Sequence, residues 1–231
     1  MEFDAIVLGL GAVGSATAWQ LARRGVRVLG IDRHAPPHAH GSHCGESRIT
    51  RKAIGEGDAY VPLALRSYEI WREVESAYPG EALLNVTGGL WISSARRQVE
   101  VHVADFFNRT VSAARRFGIA HEVLDAAAMR RRFPAFNVRD DETGYYEPDA
   151  GYLRPEACVR AQVRLAKRHG AEVRLEERVD RLEDLPPAHT VIVAAGAWLP
   201  RFLPPATCLR PTPTMTRSSP SHRRRHNRTF R

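Results

Sequence analysis

The 231-residue sequence predicts an α/β fold built on parallel strands, and three features within its first 32 residues carry that expectation. Residues 3–8 (Phe-Asp-Ala-Ile-Val-Leu) form a short apolar run of strand character. Residues 12–24 place Ala, Val, Trp19 and Leu21 at helical spacing, with Arg23 and Arg24 in the last turn and Gly25 as a stop. Residues 26–31 (Val-Arg-Val-Leu-Gly-Ile) give a second apolar run that ends at Asp32. Strand, helix and strand in about thirty residues make a βαβ unit, whose crossover requires the strands to lie parallel.

The turn between the first strand and the helix reads Gly9-Leu10-Gly11-Ala12-Val13-Gly14, a GxGxxG sequence. The first glycine permits a tight turn, the second lets backbone approach a pyrophosphate, and the third lets the helix pack on the strand. The helix N-terminus, at Ala12 and Val13, adds unpaired N–H groups and the positive end of its dipole. Asp32 stands 18 residues after Gly14, at the tip of the second strand, where an acid accepts hydrogen bonds from adenosine ribose hydroxyls. The bland alternative is an ordinary α/β turn with a loop-capping aspartate. At this point NAD and FAD are equally compatible with the motif.

Further along, residues 34–57 dissolve into Pro, His, Gly and Ser and read as a long irregular loop. Helical spacing returns at 60–77, a strand follows at 86–93, and helices are expected at 97–117 and 125–132 around a short strand at 121–124. Residues 144–151 read as turn-rich. An amphipathic helix is expected over 154–169 with Gly170 as its stop, then strands at 171–175 and 189–195. The division expected from this pattern is a nucleotide-binding part over 1–85 and 150–209, part of a second α+β domain over 86–149, and a separate tail over 210–231.

Composition narrows the functional class. The net charge of +8 would suit a nucleic-acid binder, but residues 210–231 hold seven arginines and no acid. The remainder carries 27 basic against 26 acidic residues, so the body of the protein is nearly neutral. Charge runs without a folded motif are usually solvated, so nucleic acid is not an expected partner. The tail has no periodicity and repeated Thr-Pro and Ser-Pro pairs, and it is expected to be disordered or the product of a frameshift near residue 210. No apolar run approaches the roughly 20 residues that span a bilayer, so no membrane is expected. The acidic Glu2 and Asp4 do not suit a secretion signal. Three widely spaced cysteines (Cys44, Cys158, Cys208) contain no CxxC pair, and a reducing, cytoplasmic setting is expected.

The loop after the second strand separates the two cofactors. It reads His40-Gly-Ser-His-Cys-Gly-Glu-Ser-Arg48-Ile-Thr-Arg51, then Gly55-Glu-Gly and Tyr60-Val-Pro-Leu-Ala-Leu-Arg-Ser67. Together with Glu147-Pro-Asp-Ala-Gly151 and Val191-Ile-Val-Ala-Ala-Gly-Ala-Trp198, it resembles the monomeric sarcosine oxidase and N-methyltryptophan oxidase group of D-amino-acid-oxidase-like flavoproteins, over roughly residues 3–210.

The resemblance implies a Rossmann-like, glutathione-reductase-like FAD-binding domain joined to part of an α+β substrate domain. It implies FAD contacts at Gly9, Gly11, Ala12, Val13, Gly14, Asp32, Arg33, Ser42 and His43, and again at Val179, Gly196 and Trp198, with Trp198 packing beneath the Gly196 turn. It also implies that Arg48 lies near the flavin ring and that Arg51 binds the substrate carboxylate. A planar guanidinium suits that task, since it grips a carboxylate with two parallel hydrogen bonds and stays charged. Without the motif, both would read as solvated loop arginines. The sequence departs from the family at Cys44, where a second histidine is expected. His38, His40, His43 and Cys44 could also be read as metal ligands, but no regular element fixes their geometry and no metal is expected.

The implied reaction is oxidation of the C–N bond of a secondary amino acid. The implied partners are a small-molecule amino-acid substrate and molecular oxygen, the product is hydrogen peroxide, and a complete protein is expected to be a monomer. Sarcosine, a bulkier N-methyl amino acid and a cyclic imino acid all remain open. Members of the group run well beyond 231 residues, so the chain reads as the N-terminal part of such an oxidase. A non-catalytic FAD-binding remnant is the alternative, and a nucleic-acid binder acting through its tail is the third reading.

Overall fold

The computed structural model describes residues 1–94, 96 and 103–203; the expected tail, Cys208 and most of the stretch 95–102 lie outside the described residues. Strand β1 (Phe3–Leu8) leads into helix α1 (Ala12–Ala22) and strand β2 (Val28–Asp32). Then come β3 (Arg48–Thr50), α2 (Val61–Ala77), β4 (Leu84–Val86) and β5 (Gly89–Ser94). The middle of the chain holds α3 (Phe106–Arg116), β6 (Glu122–Leu124), α4 (Ala126–Arg132), β7 (Glu142–Glu147) and β8 (Gly151–Leu153). Helix α5 (Pro155–Arg168), β9 (Glu172–Leu175) and β10 (Ala188–Val193) complete the described elements, apart from short helical turns.

The first two strands lie parallel, with Ala5 opposite Val28 and Leu8 opposite Ile31. They form the centre of a four-stranded sheet in the order β10-β1-β2-β9, every pairing of which is parallel. Both faces of its two central strands are buried. Val7 and Val28 join Trp19 of α1 and Ala161 and Leu165 of α5 on one side. Ile6, Leu8, Leu29 and Ile31 meet Val179, Leu182 and Phe202 on the other. Each fully buried aliphatic side chain of this kind contributes roughly 1.5–3 kcal/mol, which fixes the strand ends from which the site is built. Helices α1 and α5 are also joined by a buried hydrogen bond of 2.8 Å from Ser15 Oγ to Gln162 Oε1.

Between β2 and β9 the chain forms two antiparallel sheets, β3-β8-β4 and β5-β7-β6. Several local expectations are corrected here. Residues 144–151 are not one turn, because β7 runs to Glu147 and β8 starts at Gly151. The long loop contains β3, which exists because Arg48 and Thr50 pair with Leu153 and Gly151 of β8. The strand expected at 86–93 is two strands, separated at Gly88, whose φ of +78° turns the chain. Helix α1 ends at Ala22, with Arg23 as its cap rather than in its last turn.

Candidate functional site: a dinucleotide cradle and an arginine-bearing loop

The glycine turn is shaped by backbone crowding. Gly9 has a φ of +94°, and a Cβ there would lie 2.6 Å from the carbonyl oxygen of Ala194. A Cβ on Gly14 would lie 1.7 Å from the Gly9 carbonyl oxygen, so only glycine lets α1 start against β1. Gly11 caps α1 without a side chain, and the first turn carries no acid. The N–H groups of that turn lack intrahelical acceptors, and Val13 is exposed there. One carboxylate oxygen of Asp32 accepts from the Leu10 N–H at 2.7 Å, which ties the tip of β2 to the turn. The other accepts from the His34 N–H at 2.8 Å and lies 3.6 Å from His38 Nε2. A carboxylate offers about four acceptor sites, so capacity for a further donor is left.

Beyond Asp32, four imidazoles gather. His34 stacks on His40 at 4.4 Å, and His38 meets His43 edge-on at 5.3 Å. His43 is buried, and its Nδ1 lies 3.3 Å from where a Gly11 Cβ would be. Its Nε2 is buried with no hydrogen-bond partner. Burial, followed by the neighbouring His38, pushes the His43 pKa down. An orphaned polar atom beside a bare-backbone turn fits a polar ligand laid across that turn, since burial of such an atom without a partner is costly. Ser42 and Arg33 flank this region and are exposed. Among the described residues no group of three or more His, Cys, Asp or Glu side chains is arranged to hold a metal ion.

The two loop arginines have different surroundings. Arg48 is exposed and donates to the carbonyls of Ser42 (2.9 Å), Cys44 (2.7 Å) and Ser47 (2.8 Å), so it organises its own loop. Glu156, at the start of α5, accepts from the Gly45 N–H at 3.1 Å. Arg51 is half-buried, with its guanidinium 5.7 Å from the Trp91 ring and 5.3 Å from that of Phe106. Its Nη2 donates to both carboxylate oxygens of Glu56, at 2.9 and 2.8 Å.

The far side of the cradle comes from β10. The Ala194 N–H donates to the Leu8 carbonyl at 2.7 Å, which sets Ala194 against Gly9 and Gly14. Gly196 follows with a φ of +55° and begins a helical turn to Arg201. Trp198 lies within this turn and is 40% exposed. Val179 packs on the sheet face that includes Ile6 and Ile31. A cavity of about 770 Å³ opens beside the arginine loop, lined by Gly45, Ser47, Gly89, Trp91, Tyr152 and Glu156 among others. Sequence reasoning missed Leu10 and Ala194, whose contributions are made by backbone atoms. The run of small residues Ala194-Ala195-Gly196 was the available signal for Ala194.

A parallel sheet with a glycine cradle at the carboxyl ends of β1 and β2 defines an α/β dinucleotide-binding protein. A profile of the family described as FAD dependent oxidoreductase (DAO) matches residues 4–226, and the chain belongs to that family. FAD is the cofactor that this membership carries. The chain is 41% identical over 213 residues to the monomeric sarcosine oxidase of Streptomyces avermitilis, covering 87% of this chain and 53% of that protein. It is 33% identical over 224 residues to the N-methyl-L-tryptophan oxidase of Yersinia pestis, covering 91% and 58%. Among solved structures it is similar to NikD, described as an unusual amino acid oxidase essential for nikkomycin biosynthesis, with a TM-score of 0.73, 28% identity, and coverage of 87% and 53%. The L-proline dehydrogenase from P. horikoshii shares the fold, with a TM-score of 0.71 at 21% identity. The chain thus spans about half the length of the curated relatives it matches. No helix of the described residues is long and apolar enough to cross a membrane.

Proposed function

We propose that this chain belongs to an oxidase of secondary amino acids, acting on the C–N bond of an N-methyl amino acid such as sarcosine, with oxygen as acceptor and hydrogen peroxide as product. The observation that carries the substrate side is Arg51, whose guanidinium lies close to two aromatic rings and already holds one carboxylate, that of Glu56. A substrate carboxylate would bind the same group, and an apolar surround strengthens such a charge-assisted bond.

Gly9, Gly11, Ala12, Val13 and Gly14 would hold the pyrophosphate, and Asp32 with Arg33 would hold the adenosine end. Ser42, His43, Val179, Gly196 and Trp198 would complete the cofactor contacts, with the orphaned His43 Nε2 supporting this reading. Bound FAD supplies a two-electron acceptor. Arg48 keeps a positive charge on the loop and pins its carbonyls, while Arg51 orients the substrate by its carboxylate. We assign residues 1–85 and 150–209 to FAD binding, residues 86–149 to the substrate side, and the protein to the cytoplasm as a monomer.

The test is anaerobic addition of sarcosine and of N-methyltryptophan to the FAD-loaded chain. Bleaching of the yellow flavin band, restored by air with formation of peroxide, is the expected result. A band unchanged by either amine, in protein that retains its flavin, leaves FAD binding without turnover.

A further inference from the structure

Glu147 is the last residue of β7 and is fully buried, at 0% exposure. Nothing in the cradle or the proposed chemistry uses it. Its Oε1 accepts from the Lys52 N–H at 2.6 Å. Its Oε2 accepts from the Ala53 N–H at 3.2 Å and from the Tyr145 hydroxyl at 2.9 Å. The only lysine near this segment, Lys52, directs its ammonium to Asp149 instead, at 2.6 Å. Burying a carboxylate is costly unless its oxygens are hydrogen-bonded, and two successive backbone amides and a phenol meet that requirement while being held in place by it. What it fixes is the main chain immediately after Arg51.

A second path leads from the same carboxylate to the same arginine. The Tyr145 ring lies 5.9 Å from Trp91, and Trp91 lies 5.7 Å from the Arg51 guanidinium. Burial, and then the charge of Glu147, push the Tyr145 phenol up, so it stays protonated and remains a donor. Glu147 therefore governs both the backbone that carries Arg51 and one aromatic wall against its guanidinium. Arg51 Nε is buried with no hydrogen-bond partner, so the side chain is held by the Glu56 carboxylate at Nη2 together with these surroundings.

We propose that Glu147 is a positioning residue for Arg51, bracketing the Lys52 and Ala53 amides and seating Trp91 through Tyr145; its bearing on substrate rests on the reading of Arg51 given above. The experiment follows the Arg51 Nε–H by NMR in the 231-residue chain, with the signal assigned by its loss in Arg51→Lys. Glutamine can accept through one oxygen only and presents an NH2 to the other donors. In Glu147→Gln the Arg51 Nε–H should therefore exchange about tenfold faster than in the wild type, as should the Lys52 and Ala53 amides that lose their acceptor, while protected amides elsewhere keep their rates.

Glu156→Gln, which loosens Gly45 at the other end of the loop, should leave the Arg51 signal unchanged. If Glu147→Gln does not fold, Tyr145→Phe removes a single bond of the network and should speed the exchange about threefold. An unchanged Arg51 signal in a folded Glu147→Gln or Tyr145→Phe protein overturns the proposal, as does acceleration of all protected amides alike. Sarcosine titrated into the wild type on the same signal tests the substrate reading separately. If sarcosine leaves the signal in place, that reading fails and the positioning role stands or falls on the exchange rates alone.

Discussion

A methyl group at position 14 would sit 1.7 Å from the Gly9 carbonyl oxygen, so Gly14→Ala has to open the turn between β1 and α1. Such overpacking costs about 1–3 kcal/mol, and urea unfolding of the variant should show a midpoint lowered accordingly. FAD retention should be lost with it. His43 gives a prediction about pH. Its pKa is held below the ordinary 6.5 by burial, so the unfolded chain takes up a proton there before the native chain does. The stability contributed is present above pH about 6.5 and is lost as pH falls through the lower native value. Thermal midpoints measured from pH 7.5 down to 5 should therefore fall, and His43→Gln should flatten that slope. The glycines were legible in the sequence because each answers a requirement of backbone geometry that no other residue meets. Ala194 and Leu10 were not, since they act through a carbonyl and an N–H that every residue has.

Among the elements, β1 and β2 could be read directly as apolar runs on either side of the glycine turn, and α1, α2 and α5 as longer segments with helical spacing of apolar residues. The short strands β3, β4 and β8 could not. Each is three residues long and owes its existence to pairing with a distant partner rather than to local preference. Strand β7 was hidden for another reason, as Glu-Thr-Gly-Tyr-Tyr-Glu mixes turn-forming and strand-forming residues.

The contact between α1 and α5 is testable at this scale. Ser15→Ala removes the donor to Gln162, which is 4% exposed, and leaves an amide oxygen buried without that partner. The cost should be about 1–3 kcal/mol in chemical unfolding. Cys158 on α5 reports on the same packing. Burial pushes its thiol up to about 12, so alkylation at pH 8 should modify Cys44 before Cys158, which is reached only when α5 opens. Modification of Cys158 at the rate of Cys44 in the folded chain would show that the helix is not packed as described.

In the whole molecule, the parallel sheet takes two strands from the start of the described chain and two from its end, with both antiparallel sheets between them. The cradle is thus assembled from residues 185 positions apart, Gly9 against Ala194, and a ligand bound there couples the two ends of the described chain. The βαβ opening and the resemblance together pointed to this arrangement. The order β10-β1-β2-β9 could not be read from the sequence, because strand order depends on which edges the crossovers reach.

A ligand that binds the native state alone stabilises it by an amount set by its concentration relative to Kd, about 2.7 kcal/mol at a hundredfold excess. FAD should therefore raise the unfolding midpoint of the wild type and leave that of Gly14→Ala unmoved. The most direct measurement is flavin retained by the 231-residue chain after gel filtration from excess FAD. About one equivalent of flavin should remain on the wild type and none on Gly14→Ala. A folded wild-type chain that leaves all its flavin in the small-molecule fractions would contradict that expectation.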